Sequence, residues 1–212
     1  MFIPGSREIR RLLCLGAHSD DIEIGAGATV ARLIRENPGL HVTWVVLSAS
    51  GVRGEEARAS AARYLGGVAH ETRFAEFRDS HFPDQWAEVK AYVGALGATA
   101  PDLVLSHHGG DLHQDHRLVS ELVWNTFRDH LVLEYEIPKY DGGLGSPNAF
   151  FAATAIEADA KIAGLMADFA SQAGKHWFDD LTFRGLMRLR GLECHAPEGL
   201  AEAFYARKIR LG

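Results

Sequence analysis

Two clusters of histidine and aspartate, about a hundred residues apart, contain the side chains of this chain that are best suited to chemistry. The first reads Ala17-His18-Ser19-Asp20-Asp21, and the second reads Asp111-Leu112-His113-Gln114-Asp115-His116. Each follows a short apolar run that predicts a buried strand. Two imidazoles and a carboxylate that meet at one point would hold a divalent ion, and a further carboxylate and imidazole would remain for proton transfer. The clusters therefore predict metal-assisted hydrolysis.

In the first cluster, the two neighbouring aspartates are expected to have different roles. His18 and Asp21 come just after a predicted strand, where open α/β sheets bind their ligands. The side chains of Asp20 and Asp21 diverge because the residues are adjacent, so one could bind a metal while the other faces a water molecule. A metal would also relieve the repulsion between them. The alternative is a solvated turn that caps the next helix.

In the second cluster, His113 and His116 are three residues apart and could face one crevice from the start of a helix. One could bind a metal while the other stays free for catalysis. Asp115 could orient an imidazole and raise its basicity. The alternative is that Asp111 or Asp115 caps the helix, and capping is compatible with a role at a metal.

The other histidines have weaker signals. Of His107 and His108, one is expected to line the site and the other to pack, and neither is expected to bind the metal. His195 lies in a segment for which the sequence predicts no role.

Strand-like and helix-like segments alternate along the chain, which predicts an α/β fold with a mostly parallel sheet flanked by helices. Strands are expected at 12–15, 42–47, 72–77, 103–106 and 131–137. Helices are expected at 25–37, 55–65, 85–98, 116–130, 156–171 and 184–192, with a closing element at 201–209 and a surface loop at 141–147. We expect one Rossmann-like domain over 1–212, with a core at 1–137 and a C-terminal extension at 138–212. The metal site would lie at the carboxyl ends of the strands.

Composition limits the class of protein. The 212 residues carry a net charge of −6 without a long run of like charges, which argues against a nucleic-acid or anionic-membrane partner. No run of 18 apolar residues predicts a membrane span, and residues 1–8 do not resemble a signal peptide. Cys14 and Cys194 are expected to be buried thiols. We therefore expect a cytoplasmic protein with a small-molecule substrate, and the sequence leaves a homo-oligomer open.

These motifs resemble the zinc-dependent PIG-L (LmbE-like) de-N-acetylase family, which carries Ala-His-Pro-Asp-Asp near its start and His-Pro-Asp-His past its middle. Ser19 and Gln114 replace the two prolines, which removes a backbone restriction but no metal-binding atom. Ile22 replaces a frequent acidic residue. Further likenesses are Glu23-Ile24-Gly25-Ala26-Gly27-Ala28-Thr29, Arg53 followed by Glu56-Ala57, Pro147-Asn148 and Ser171-Gln172.

The resemblance implies a role for each matching residue. It implies that His18, Asp21 and His116 bind one Zn²⁺, with Fe²⁺ as the alternative ion in the cell. It implies Asp20 as the general base, and His113 as the general acid or oxyanion stabiliser. It also implies three supporting residues: Asp115, which would tune His113, and Arg53 and Asp79, which would hold the substrate. The implied reaction removes the acetyl group of an N-acetylglucosamine derivative and releases acetate and a free amine.

Three other functions remain open at this stage. The chain could hydrolyse a different amide, such as that of a thiol conjugate. It could cleave a phosphoester, although such enzymes more often use two metals. It could also be a metal-binding module without catalysis, although structural zinc usually has four protein ligands, often cysteines.

Overall fold

The structure is a computed structural model that describes residues 9–209. The prediction that residues 1–8 are not a signal peptide therefore lies outside the described residues. Within the described range the strands are β1 (Arg11–Gly16), β2 (His41–Val46), β3 (Ala69–Phe74), β4 (Leu103–His107), β5 (Leu131–Tyr135), β6 (Ala149–Ala153) and β7 (Leu200–Ala206). The α-helices are α1 (Asp21–Glu36), α2 (Gly51–Leu65), α3 (Trp86–Ala95), α4 (Gln114–Thr126), α5 (Ala155–Asp168) and α6 (Asp180–Glu193).

The seven strands described form one sheet in the order β3-β2-β1-β4-β5-β7-β6. Strands β1 to β5 run parallel to one another, whereas β7 is antiparallel to both β5 and β6. This confirms the predicted α/β class with a mostly parallel sheet flanked by helices. The sequence prediction did not include β6. This strand lies at the edge of the sheet and is mostly half-buried, although its residues, Ala-Phe-Phe-Ala-Ala, are all apolar.

Apolar side chains fill both faces of the sheet, which explains why the central strands read as unbroken apolar runs. Successive residues of a strand point to opposite faces, so Leu12 and Cys14 pack with helices α1, α2, α5 and α6. Leu13 and Leu15 pack on the other face against α3 and α4. Helices on both faces leave the strand ends open, and the carboxyl ends lie where α1 and α4 begin.

Helix α1 begins at Asp21, four residues before the predicted start at 25. The prediction placed Gly25 and Gly27 at the helix start, but both lie inside the helix. A Cβ atom on Gly25 would lie 2.3 Å from the ring of Tyr135, and one on Gly27 would lie 2.6 Å from the hydroxyl of Tyr64. These glycines therefore allow two tyrosines to approach the helix. Helix α4 similarly begins at Gln114, two residues early.

The C-terminal part of the chain joins the same sheet, because β6 and β7 both follow residue 138. The loop at 141–147 is exposed except for Pro147. Cys14 and Cys194 are buried free thiols, as predicted. Between residues 9 and 209, no helix combines the length and the apolar character needed to cross a membrane.

Candidate metal centre

The two sequence clusters meet because the strands that precede them are neighbours. Strand β1 pairs in parallel with β4, with Leu12 opposite Leu103, so both strands end at the same edge of the sheet. The chain turns from β1 into α1 through the first cluster, and from β4 into α4 through the second. The backbone N–H of His18 donates to Oδ2 of Asp21 at 2.6 Å, which fixes the first turn. Both clusters therefore lie where ligands bind in open α/β sheets.

Three buried side chains present ligand atoms at one point. His18 Nδ1 lies 3.4 Å from Asp21 Oδ2, and Asp21 Oδ2 lies 3.5 Å from His116 Nε2. His18 Nδ1 and His116 Nε2 are 3.1 Å apart. Two ligand atoms that lie about 2.0–2.1 Å from a tetrahedral zinc ion are separated by about 3.3–3.4 Å. The donor set and its spacing therefore fit one divalent ion.

A carboxylate contacts the other nitrogen of each of these histidines. His18 Nε2 lies 3.1 Å from Asp115 Oδ2, and His116 Nδ1 lies 3.0 Å from Asp111 Oδ2. Asp115 is fully buried and also accepts hydrogen bonds from the backbone N–H groups of Ser80 (2.7 Å) and Phe82 (3.1 Å). A carboxylate on the far nitrogen fixes the tautomer of a metal-binding histidine and raises its basicity. Both imidazoles have this support.

The charges around this point hold Asp21 ionised. Burial alone would raise the pKa of Asp21, but His116, His107 and His18 outweigh it and hold that pKa well below its usual range. Burial opposes protonation of His18, but Asp21 and Asp115 outweigh it and raise the pKa of His18 well above its usual value. The charge of the Asp21 carboxylate and the charges of the nearby imidazoles therefore shift one another's pKa values.

Asp20 is buried beside this triad and faces a different partner. Its Oδ1 accepts a hydrogen bond from Arg53 at 3.3 Å. Burial, reinforced by the charge of Asp21, raises the pKa of Asp20, and the Arg53 charge partly opposes this. Arg53 also donates to Asp79 Oδ2 at 2.7 Å, and Asp79 Oδ1 lies 3.3 Å from His18 Nε2. Arg53 therefore contacts both Asp20 and Asp79. Arg53 and Asp79 are partly exposed.

His113 caps helix α4 and leaves one ring nitrogen free for the site. Its Nδ1 accepts from the backbone N–H of Asp115 at 3.3 Å, so the proton of the neutral ring is assigned to Nε2. The ring centroid lies 4.8 Å from that of His18 and 4.6 Å from that of His116. Burial and the charge of His18 lower the pKa of His113. His113 is therefore a neutral hydrogen-bond donor beside the triad.

The predicted pairing of Asp115 with His113 takes a different form in the structure. The Asp115 carboxylate contacts His18, and its backbone N–H is the group that reaches His113. Gln114 stands where the resembling family has proline, and its side chain donates to the carbonyl of Ser80 at 3.0 Å. The start of α4 is thus tied to the loop that carries Asp79.

His107 is the residue at the site whose importance sequence reasoning underestimated. It is fully buried, and its ring stacks on that of His116 with centroids 3.9 Å apart. Its Nε2 accepts from the backbone N–H of Ala17 at 2.9 Å and lies 3.2 Å from Asp21 Oδ2. Burial and the charge of His116 lower its pKa to about 4. His107 thus contacts residues of both clusters. The ring of His108 instead stacks on that of Tyr205, with ring centroids 3.6 Å apart.

Other combinations of these side chains also bring ligand atoms together. There are three such groups among the described residues, and within each group one potential ligand atom per residue lies within 4.8 Å of the others. They are His18, His113 and His116; Asp21, His107 and His116; and His18, Asp79, His113 and Asp115. In the second group, the Nε2 lone pair of His107 already accepts the N–H of Ala17. In the third group, Asp115 already accepts two backbone N–H groups. The first group shares His18 and His116 with the triad of His18, Asp21 and His116, so both imidazoles belong to either ligand set.

Comparison with known proteins finds relatives of one family. The family model PIG-L, GlcNAc-PI de-N-acetylase, matches residues 13–127. The uncharacterized deacetylase YaiS of Escherichia coli K12 is 33% identical in an alignment of 150 residues that covers 64% of this chain and 78% of that protein.

Solved structures share the fold over most of the chain. The N,N'-diacetylchitobiose deacetylase from Pyrococcus horikoshii has a TM-score of 0.69 at 18% identity, covering 93% of this chain and 84% of that one. GalB, the 4-carboxy-2-hydroxymuconate hydratase from Pseudomonas putida KT2440, has a TM-score of 0.69 at 19% identity, covering 96% and 98%. Structural similarity at 18–19% sequence identity shows the fold alone. These two proteins share the fold but are named for different activities.

Proposed function

The chain belongs to the PIG-L family, described as GlcNAc-PI de-N-acetylase, and on that premise we propose that it is a metal-dependent hydrolase. It would remove the acetyl group from an amino-sugar-containing small molecule, an N-acetylglucosamine derivative, by cleaving the amide C–N bond. The observation that carries this proposal is the spacing of His18, Asp21 and His116, whose three ligand atoms are 3.1–3.5 Å apart.

In this proposal His18 Nδ1, Asp21 Oδ2 and His116 Nε2 hold one Zn²⁺, or Fe²⁺ in the cell. Three protein ligands leave a position for substrate, as in catalytic zinc sites. When bound, a divalent ion supplies Lewis acidity, which lowers the pKa of water and polarises a carbonyl oxygen. Asp115 and Asp111 are not ligands here, because each supports the far nitrogen of a ligand histidine.

Asp20 is the proposed general base. Burial has already raised its pKa toward the range in which a carboxylate accepts protons well, and its contact with Arg53 orients it. It takes a proton from water as the oxygen of that water bonds to the acetyl carbon. As the C–N bond breaks, the protonated Asp20 or His113 donates a proton to the leaving nitrogen, so that acetate and a free amine are released.

His113 is the proposed donor to the oxygen on which negative charge develops. Its Nδ1 is occupied by the N–H of Asp115, so the N–H of Nε2 is available to the reacting group. A donor that is already oriented needs no reorganisation during the reaction, which makes such groups effective. The alternative role, general acid, uses the same nitrogen.

Arg53 and Asp79 are the proposed contacts to the sugar. Both are partly exposed at the mouth of the site, with side-chain exposures of 30% and 44%. A guanidinium and a carboxylate that are paired at 2.7 Å could exchange part of that pairing for hydroxyl groups of a sugar. The exposed loop at 141–147 is proposed to contribute to substrate choice. The cytoplasmic location stays a prediction of the sequence.

The proposal is tested with the whole chain, stripped of metal and reloaded with Zn²⁺ or Fe²⁺. Acetate and primary amine are measured for N-acetylglucosamine, N,N'-diacetylchitobiose and N-acetylglucosaminides. We expect one ion per chain and equal amounts of acetate and amine. His18→Ala and His116→Ala should lose the ion, whereas His70→Ala, at an exposed position outside the site, should keep it.

Other results would contradict the proposal in distinct ways. Two ions per chain would favour phosphoester hydrolysis. Release of amine without acetate, from an amide that lacks a sugar, would favour a different amidase. A tightly bound ion without turnover of any amide would favour a metal-binding module.

A further inference from the structure

We propose that Asp111 and Lys139 form a positioning pair that makes His116 present the lone pair of Nε2, and not a ring C–H group, to the ion. This inference rests on the proposed function, because it concerns how the chain holds one of the three proposed ligands. Neither residue is a ligand or a catalytic group in that proposal. The pair acts through His116 alone.

Asp111 uses its two carboxylate oxygens for different purposes. Oδ1 accepts the backbone N–H of His113 at 2.7 Å, which is the local turn expected before a helix. Oδ2 lies 3.0 Å from Nδ1 of His116 and also contacts Nζ of Lys139. Capping of the helix would explain only the hydrogen bond that Oδ1 accepts. The second oxygen is aimed at the imidazole, and Asp111 is 4% exposed, so solvent competes little for it.

The Asp111 contact decides which atom of the His116 ring faces the other ligand atoms. The plane of the ring is already set by His107, which stacks on it at 3.9 Å. Stacking alone would allow the ring to turn over by about 180° and exchange its nitrogen and carbon positions. The Asp111 carboxylate opposes this, because a turned ring would present a C–H group to a buried anion. The lone pair of Nε2 is therefore kept toward Asp21 and His18.

Lys139 holds Asp111 in this position. Its ammonium group contacts Asp111 Oδ2 and donates to the carbonyl of Ile137 at 2.8 Å, and its side chain is 9% exposed. Asp111 Oδ2 thus lies between the ammonium group of Lys139 and Nδ1 of His116. A buried carboxylate without a cation would be unfavourable, so Lys139 allows the carboxylate to remain charged beneath His116.

The test is a double-variant cycle on zinc affinity, measured by competition with a chelator. Second contacts to metal-binding histidines typically change affinity by 10–100-fold, so Asp111→Ala should weaken zinc binding by about that factor. Lys139→Met should weaken it less. Because Lys139 acts through Asp111, the double variant should bind zinc as weakly as Asp111→Ala alone. Asp129→Ala and Lys90→Met, at exposed positions, are the matched controls.

Two results of this double-variant cycle would overturn the inference. One is zinc affinity of Asp111→Ala within twofold of the unmodified chain. The other is additive losses in the double variant, which would mean that Lys139 acts separately. If His116→Ala keeps its ion, the proposed function fails; if His116→Ala loses its ion but Asp111→Ala does not weaken binding, only this inference fails.

A second variant and a spectroscopic signal keep the inference testable if Asp111→Ala misfolds. Asp111→Asn keeps an acceptor oxygen, so it should bind zinc more tightly than Asp111→Ala, and equal affinities would contradict the inference. In the zinc-loaded chain, the proton on His116 Nδ1 should give a slowly exchanging low-field imidazole signal in ¹H NMR. That signal should be absent in Asp111→Ala, and its persistence there would overturn the assignment.

Discussion

Nδ1 of His18 lies 3.1 Å from Nε2 of His116, although 98 positions in the sequence separate the two residues. The contact follows from the sheet, because β1 and β4 are parallel neighbours and both lead into helices at the same edge. Asp115 contacts the far nitrogen of His18, and Asp111 that of His116. Two imidazoles that each direct a nitrogen at a shared carboxylate are arranged to hold a cation, and that arrangement governs the first three predictions.

Asp20→Asn should keep zinc but lose activity. Asn cannot take the proton from water, and general-base catalysis typically contributes about 10²–10⁴-fold. We therefore expect kcat/KM for acetate release to fall by about that factor, while zinc content stays at the level of the unmodified chain. Asp129→Asn, at an exposed position, should change neither quantity. Loss of zinc from Asp20→Asn would instead identify Asp20 as a ligand and reverse the roles given to the two aspartates.

His113→Ala should also keep zinc and lose activity. The variant removes the Nε2–H donor, and loss of one such donor typically costs about 10²–10³ in kcat. Single-turnover rates and zinc content, measured on the same preparations, separate the loss of this donor from loss of the ion. An almost fully active variant would rule out the role given to His113.

Removal of metal should lower thermal stability as well as activity. The side chains of the three proposed ligands are buried close together, so an ion that binds only the folded chain would stabilise it by about 2.7 kcal/mol at a hundred times its Kd. We expect the Tm of the stripped chain to rise with added Zn²⁺. The Tm of His116→Ala should not respond. A Tm that is independent of zinc in the unmodified chain would mean that the triad does not bind the ion.

Glu157→Gln should reduce stability at neutral pH and have less effect in acid. Hydrogen bonds from Arg32 are the main cause that holds the pKa of Glu157 at about 2, below the ordinary 4.5. A depressed pKa contributes stability above about pH 4.5, and the contribution is lost as pH falls toward 2. We expect a loss of about 1–2 kcal/mol at pH 7, allowing for partial solvent screening.

The difference between Glu157→Gln and the unmodified chain should shrink at pH 3. Urea unfolding of both chains at pH 7 and pH 3, with chelator present throughout, measures this. Glu121→Gln, which changes an exposed glutamate, is the control and should show no such pattern. An equal loss at both pH values would show that the charge of Glu157 is not the cause.

Gly25→Ala and Gly185→Ala should have opposite effects on stability. A Cβ atom on Gly25 would lie 2.3 Å from the ring of Tyr135, whose hydroxyl donates to the carbonyl of Leu15 at 2.7 Å. Forcing that ring aside should cost about 1–3 kcal/mol. Gly185 lies in α6 with no atom within 4 Å of an added Cβ, so alanine there should stabilise by about 0.5–1 kcal/mol. Urea unfolding tests both, and effects of the same sign would contradict the packing role of Gly25.

The α/β class was predictable from the sequence because buried parallel strands produce continuous apolar runs, as at Leu12 to Leu15. The meeting of the two clusters was predictable for the same reason, since parallel strands end at one edge. Partners within the site were harder to predict. Asp115 was paired with a neighbour in sequence, His113, but its carboxylate contacts His18 from the adjacent strand. Spacing along a helix gives no information about such contacts across the sheet.

Lys139 had no signal in the sequence. Its contact with Asp111 depends on β5 lying next to β4, which places the chain after β5 beside the start of α4. The early start of α1 was missed for another reason. Gly25 and Gly27 weaken the local helical pattern, and the tyrosines that require them come from distant parts of the chain.

Lys139 stands at the base of the exposed loop at 141–147, so the segment that we propose to contribute to substrate choice begins at a residue that reaches the proposed ligand His116 through Asp111. Relatives that acquire a longer or shorter loop to admit another sugar would strain that contact. Selectivity and ion retention are therefore expected to change together, and a redesign of specificity that ignores residue 139 would produce chains that lose their metal before they recognise a new substrate.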